Sequence, residues 1–242
     1  MSDDVAPKKA WQLVVDWIEQ RILSGEFAVG SHLPAERDLA QRVGVSRPAV
    51  REAVRTLQAN GVLQSAVGAG ATGGTTISGV PHQALTRLLR LHVALANFPT
   101  PDVTEVRVAL ERLSTRLAST RATDADLARM RDLLEVMDDD GLTMAEFNNH
   151  DTGLHVAIAE AAGNRLASDL TIAIRESMRL PILAGLDALP DWISTRDILR
   201  AQHHGIVAAI TAHETEAAVA LIEEHIRSAY ARMTSLHADA GG

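Results

Sequence analysis

The sequence predicts a mostly α-helical protein in two parts, a small helix-turn-helix module closed by a β-hairpin and then an all-helical bundle. Three observations carry this. Aromatic residues make up 3% of the chain while hydrophobic residues make up 46%, a balance that favours helices over strands. Apolar residues recur at helical spacing along most of the length. Charge is also unevenly divided: residues 1–78 carry eight basic and eight acidic residues, so the whole net charge of -8 falls on the remainder. Such asymmetry suggests a division of labour between the two parts.

The elements follow in order. Helical periodicity begins at Trp11 and continues through Leu13, Val14, Trp17, Ile18 and Ile22, until Ser24-Gly25 ends it. Pro34 is expected at the first position of a second helix, Ala35 to Val43, where its missing N–H costs nothing. Gly44 breaks that helix. Ser46 is placed as the cap of a third, with Pro48 in its first turn, Val50, Val54 and Leu57 on its inner face, and Gly61 after its end. The apolar pieces Val62-Leu63-Gln64 and Thr75-Thr76-Ile77 flank the glycine-rich stretch 68–74, which reads as a β-hairpin.

From Pro81 onward the pattern is helical. Stripes include Leu85/Leu88/Leu89/His92, Val106/Leu110/Leu113/Leu117, Leu127/Met130/Leu134/Met137 and Leu154/Ile158/Ala161, with later ones around Ile206 and Ile226. About seven helices are expected there. The boundary falls at Ser78–Pro81, giving a helix-turn-helix part over 1–78 and an all-helical part over 79–242.

Several classes drop out. There is no cysteine, which excludes disulfides, thiolate metal sites and cysteine nucleophiles. No apolar run approaches the roughly 18 residues that span a bilayer, so no membrane partner is expected. The acidic start Met1-Ser2-Asp3-Asp4 lacks the features of a signal peptide, and a cytoplasmic location follows as the expectation.

In the third helix Arg47, Arg51 and Arg55 stand at i, i+4 and i+8, on the face opposite Val50, Val54 and Leu57. Arginine grips phosphate and reads guanine O6 and N7 with its planar fork. The competing reading is a solvated stripe paired with Glu36, Asp38 or Glu52. In the second part, Asp151 and His155 lie at i, i+4 and converge on one point from a single helix, while His203 and His225 fall on two later helices. One carboxylate and three imidazoles suit Zn²⁺ or Ni²⁺, with coordination positions left for an exogenous carboxylate. Any one of these histidines alone reads as structural.

The stretch Leu33-Pro34-Ala35-Glu36-Arg37-Asp38-Leu39-Ala40, followed by Gly44-Val45-Ser46-Arg47-Pro48-Ala49-Val50-Arg51-Glu52-Ala53, closely resembles the DNA-binding domain of GntR-type transcriptional regulators. The resemblance spans nearly all of 11–78. It implies a winged helix-turn-helix in which Arg37, Arg47 and Arg51 contact DNA, Arg47 and Arg51 as base readers. Ser46 and Arg42 then become phosphate contacts, and Arg55 touches backbone or a nearby acid. The wing departs from the family pattern, because Gly68-Ala69-Gly70 has no basic residue beside its glycines.

Asp151-Thr152-Gly153-Leu154-His155, Gln202-His203-His204-Gly205-Ile206 and Glu223-Glu224-His225-Ile226 look like the three metal-ligand motifs of the FCD effector domain of the FadR subfamily. The resemblance covers roughly 83–235 and implies an all-helical, usually dimeric domain whose metal helps to hold a small organic acid. Arg107 lies where a carboxylate-binding arginine is common. Register favours His203 over His204, which stays the alternative. Leu154 stands where an aromatic is common, and Gln202 where a Glu is frequent.

The function implied is a metabolite-responsive regulator, most often a repressor. As a homodimer it would set two recognition helices about 34–36 Å apart on a near-palindromic operator. A small carboxylate at the metal, most readily Zn²⁺, and at Arg107 would release the DNA. The alternative is a metal-dependent hydrolase joined to a DNA-binding domain, with Glu160 as a weak candidate base.

Overall fold

The Trp11 periodicity becomes α1 (Ala10–Leu23), which buries Val14 and Ile18. The structure is a computed structural model that describes residues 8–66, 74–79 and 82–239. The chain divides between Ala84 and Leu85 into two units, a few residues after Ser78–Pro81 and within the first turn of a helix.

In the first unit α2 (Glu36–Val43) is capped by Ala35, so Pro34 precedes the helix instead of opening it. Gly44 ends α2 at φ 76°, a left-handed turn that glycine adopts without a Cβ clash. Two residues later Ser46 occupies the cap position of α3 (Arg47–Ala59), although its hydroxyl makes no capping bond. Helix α3 buries Ala49 and turns Val50, Ala53 and Leu57 inward to meet Val14, Ile18 and Leu39.

Strands β1 (Leu63–Ala66) and β2 (Gly74–Ile77) pair antiparallel, with Leu63 opposite Ile77 and Ala66 opposite Gly74. Leu63 and Ile77 join the core of the unit. The tip Gly68-Ala69-Gly70 lies outside the described residues. A third edge has no signature in the sequence pattern: His32 bridges to Thr76, and Leu33 N–H donates to the Thr75 carbonyl at 2.8 Å. One isolated bridge has no alternation for a sequence to display.

The second unit contains α4 (His82–Ala94, which starts just before the division), α5 (Thr100–Arg121), α6 (Asp124–Met137) and α7 (Met144–Ala161). It continues through α8 (Arg165–Asp187), α9 (Trp192–Thr211) and α10 (Thr215–Asp239). Capping boxes at Thr123/Asp126 and Thr143/Glu146 satisfy the free N–H groups that open α6 and α7. Asn164 and Asp191 cap α8 and α9 through their side chains. Helix α5 packs on α7, α8 and α10, while α7 also packs on α6 and α8. The core gathers Met130, Met137, Phe147, Leu154, Ile206, Ile222 and Ile226.

Two stripes are turned differently from the expected pattern. Leu88 on α4 is 55% exposed, and Val106 and Leu113 on α5 are 51% and 41% exposed. Helix α5 instead buries Arg107, Glu111, Ser114, Thr115 and Ser119. The physical reason is the interior that it faces, which holds ionisable groups needing polar partners rather than more hydrocarbon. No helix among the described residues is long and apolar enough to cross a membrane.

Candidate metal centre and arginine face

Helix α7 carries Asp151 and His155 one turn apart, α9 brings His203 and α10 brings His225. All four are buried, and one ligand atom from each lies within 4.8 Å of the others. His155 Nε2 is 3.2 Å from His225 Nε2. Asp151 Oδ1 is 3.0 Å from His203 Nε2 and 3.6 Å from His155 Nε2. Ligands at 2.0–2.1 Å around a tetrahedral ion stand about 3.3 Å apart. His204, on the opposite side of the turn, is half exposed and meets Asp138.

The donor set fits a transition ion on a further ground. Neither ring nitrogen of His203 has a hydrogen-bond partner among the described residues, although the side chain is fully buried. Its approach to Asp151 lacks hydrogen-bond alignment at 3.0 Å. A buried, unpartnered imidazole costs free energy unless something else occupies its lone pair. Burial, with only partial opposition from Asp151, lowers the pKa of His203. Burial and the neighbouring His203 and His155 push His225 well below the usual imidazole range. Both are therefore held neutral, the form that ligates metal.

This has a consequence for stability without metal. The unfolded imidazoles protonate near pH 6.5, whereas buried His203 and His225 do not. Below that pH the unfolded chain binds more protons, so stability falls as the pH falls. Thermal melts of metal-free protein at about pH 7.5 and 5.5 should show the lower midpoint in acid. Equal midpoints would contradict the burial of neutral imidazoles.

Three residues around the cluster were not singled out as its supports. Glu111 on α5 bonds His155 Nδ1 and accepts from Arg107 Nε at 2.6 Å. Burial alone would raise its pKa, but His155 and Arg107 hold it far below the usual carboxylate range. Gln202 Oε1 is 3.0 Å from His225 Nδ1. With Nδ1–H donated in each case, both Nε2 atoms remain free to ligate. Arg175 on α8, 1% exposed, donates to Asp151 Oδ2. Asp151 stays ionised against its burial chiefly because of Arg175. Glu111→Gln is expected to weaken metal binding by about 10–100-fold, measured by competition with a chromogenic chelator.

Arg107 is 7% exposed, and its pKa is lowered by burial and then by Arg175. It lines a small cleft together with Asp151, Arg175 and His225, and also a larger cavity of about 300 Å³. Glu160 is elsewhere, exposed on α7 and paired with Arg129.

In the first unit Arg37, Arg42, Ser46, Arg47, Arg51 and Arg55 are all exposed. Arg51 Nε donates to Glu36 Oε2 at 2.9 Å, and Arg47 Nη2 lies 3.7 Å from the same oxygen. Arg37 meets Asp38 at 3.4 Å. Exposed pairs of this kind are worth about 0–1 kcal/mol, little enough to be exchanged for phosphate or guanine.

Comparison with known proteins supplies the family. Residues 12–72 match the bacterial regulatory proteins of the gntR family, and residues 102–228 match the FCD domain. The chain is 30% identical over 239 residues to the HTH-type transcriptional repressor NanR of Cronobacter sakazakii, covering 96% of this chain and 88% of that protein. It is 28% identical to the NanR of Citrobacter rodentium, again over 96% and 88%. The solved structure of Streptococcus agalactiae GntR superposes with a TM-score of 0.59 at 26% identity, covering 90% of this chain and 97% of that one. These relatives are regulators rather than enzymes, and the hydrolase alternative gains no support from them. The chain belongs to the GntR family of bacterial transcriptional regulators and carries an FCD domain behind its helix-turn-helix.

Proposed function

We propose that the protein is a repressor of the FadR type, released from its operator when a small carboxylate binds at a metal ion in the helical unit. The observation that carries this reading is the buried Asp151, His155, His203 and His225 set, with Arg107 lining the adjoining cleft. Four hard-to-bury polar groups kept together are explained by an ion, and three histidines with one aspartate favour Zn²⁺, with Ni²⁺ as the alternative. Such an ion would supply a cationic anchor for a carboxylate, while Arg107 would orient that group.

On the DNA side, Arg47 and Arg51 read bases in the major groove, Arg37 joins them from α2, Arg42 and Ser46 hold phosphates, and Arg55 meets backbone or a nearby acid. The support is their common exposure on and beside α3. Exposed Leu88, Leu91, Val106 and Leu113 on α4 and α5 give a second copy an apolar surface, as a homodimer on a near-palindromic operator requires. A cytoplasmic location accords with that role.

Elemental analysis of freshly purified protein tests the metal. About one equivalent of zinc or nickel per chain is expected, and its loss in His203→Ala. Protein with no transition metal, unable to take one up, would remove the centre from the account. Selection of duplexes from a randomised pool tests the reader and should return a near-palindrome.

A further inference from the structure

The cavity of about 300 Å³ beside Arg107 reaches beyond what a two- or three-carbon acid would occupy. At the ~30 Å³ that each water takes in the liquid, it holds about ten non-hydrogen atoms. Its walls are Met178, Pro181, Ile182 and Ala184 from α8 and Met233 from α10, with threonines at 100, 104 and 234. The Thr104 hydroxyl already donates to the Thr100 carbonyl at 2.8 Å, and that of Thr234 to the Tyr230 carbonyl at 2.9 Å. Two of the three threonine hydroxyls are thus committed inside their own helices. What remains is mostly hydrocarbon, with the hydroxyls of Thr100 and Tyr230 and the buried Arg107 cation in the wall.

Arg107, Ile182 and Met233 line both this cavity and the cleft that includes Asp151 and His225. A ligand anchored by its carboxylate at Arg107 therefore has an apolar chamber available for its other end. Polyhydroxylated acids would desolvate their hydroxyls there against few donors, which is unfavourable. An alkyl chain gains with every methylene it buries.

We infer that the effector is a carboxylate with a predominantly aliphatic body of about six to eight carbons, its head at Arg107 and its tail in the α8–α10 cavity. This rests on the proposed reading that a carboxylate binds beside the metal cluster. Gly185 sets one limit of the chamber, because a Cβ there would come within 2.9 Å of Met233 Sδ. Ala184, in the wall and exposed, is a place where a larger side chain can intrude without disturbing the core.

The test is calorimetric titration of zinc-reconstituted full-length protein with straight-chain monocarboxylates from acetate to nonanoate, and with gluconate. Affinity should rise about fourfold per methylene, the equivalent of ~0.8 kcal/mol, and level off near hexanoate to octanoate. Ala184→Leu should move that plateau to shorter chains, and an unmoved plateau would place the tail outside this cavity. Affinity independent of chain length, or gluconate binding more tightly than hexanoate, overturns the aliphatic tail and leaves the carboxylate site standing. Failure of every carboxylate to bind overturns both.

Discussion

Replacing Asp151 by alanine is expected to destabilise the helical unit by about 3–5 kcal/mol, because it strands a buried guanidinium. Arg175 is 1% exposed and donates to Asp151 Oδ2, and its Nε has no partner among the described residues. The loss of the aspartate leaves Thr152, at 3.4 Å, as a poor substitute. Denaturant unfolding of metal-free protein isolates this effect from the loss of a ligand. The double change Asp151→Ala with Arg175→Met should recover much of the loss, since no unpaired charge then remains. A cost below about 1 kcal/mol for the single variant would mean that Arg175 finds water or another anion.

Arg51→Ala carries the largest expected effect on DNA. Loss of a guanidinium that reads a base should lower specific binding by about 1–3 kcal/mol and relax the preference at one position of each half-site. In the free protein this side chain is held by Glu36, an exposed pair whose release adds little to the balance. Binding of wild type and variant to selected and random duplexes separates the roles. An equal loss on both duplexes would make Arg51 a phosphate contact, with the salt dependence reduced by about one unit of slope.

Much of this arrangement was legible because it depends on local spacing. Asp151 and His155 share a helix face by their separation of four, and Gly44 marks the turn before α3. Arg47 and Arg51 share one side of α3 by the same spacing of four, and both are exposed while Val50 is buried. What could not be read depends on which distant residue fills a space. Nothing within α5 says that Glu111 will reach His155, 44 residues away, or that Arg175 will meet Asp151 across 24. A period of 3.6 sorts residues into faces but does not say which face looks inward when both are mixed. In α5 the polar face won, because it neutralises the charges of the cluster, and Val106 and Leu113 were left outside. One signal for Glu111 was available: it stands one turn after Arg107, and an i, i+4 Arg–Glu pair inside a helix facing three histidines is a reasonable support for one of them.

On the proposed function, occupancy of the helical unit is expected to change DNA affinity in the other unit. A ligand can do this only by its differential affinity for the DNA-competent and DNA-incompetent states, and the coupling is reciprocal. Fluorescence anisotropy of a duplex selected by the wild-type protein, titrated with a carboxylate shown to bind it, measures that coupling most directly. The zinc-loaded wild type is expected to release the DNA, with the carboxylate recovered unchanged, whereas His225→Ala should still bind the duplex and not release it. A carboxylate that binds the protein while DNA affinity stays the same would contradict it.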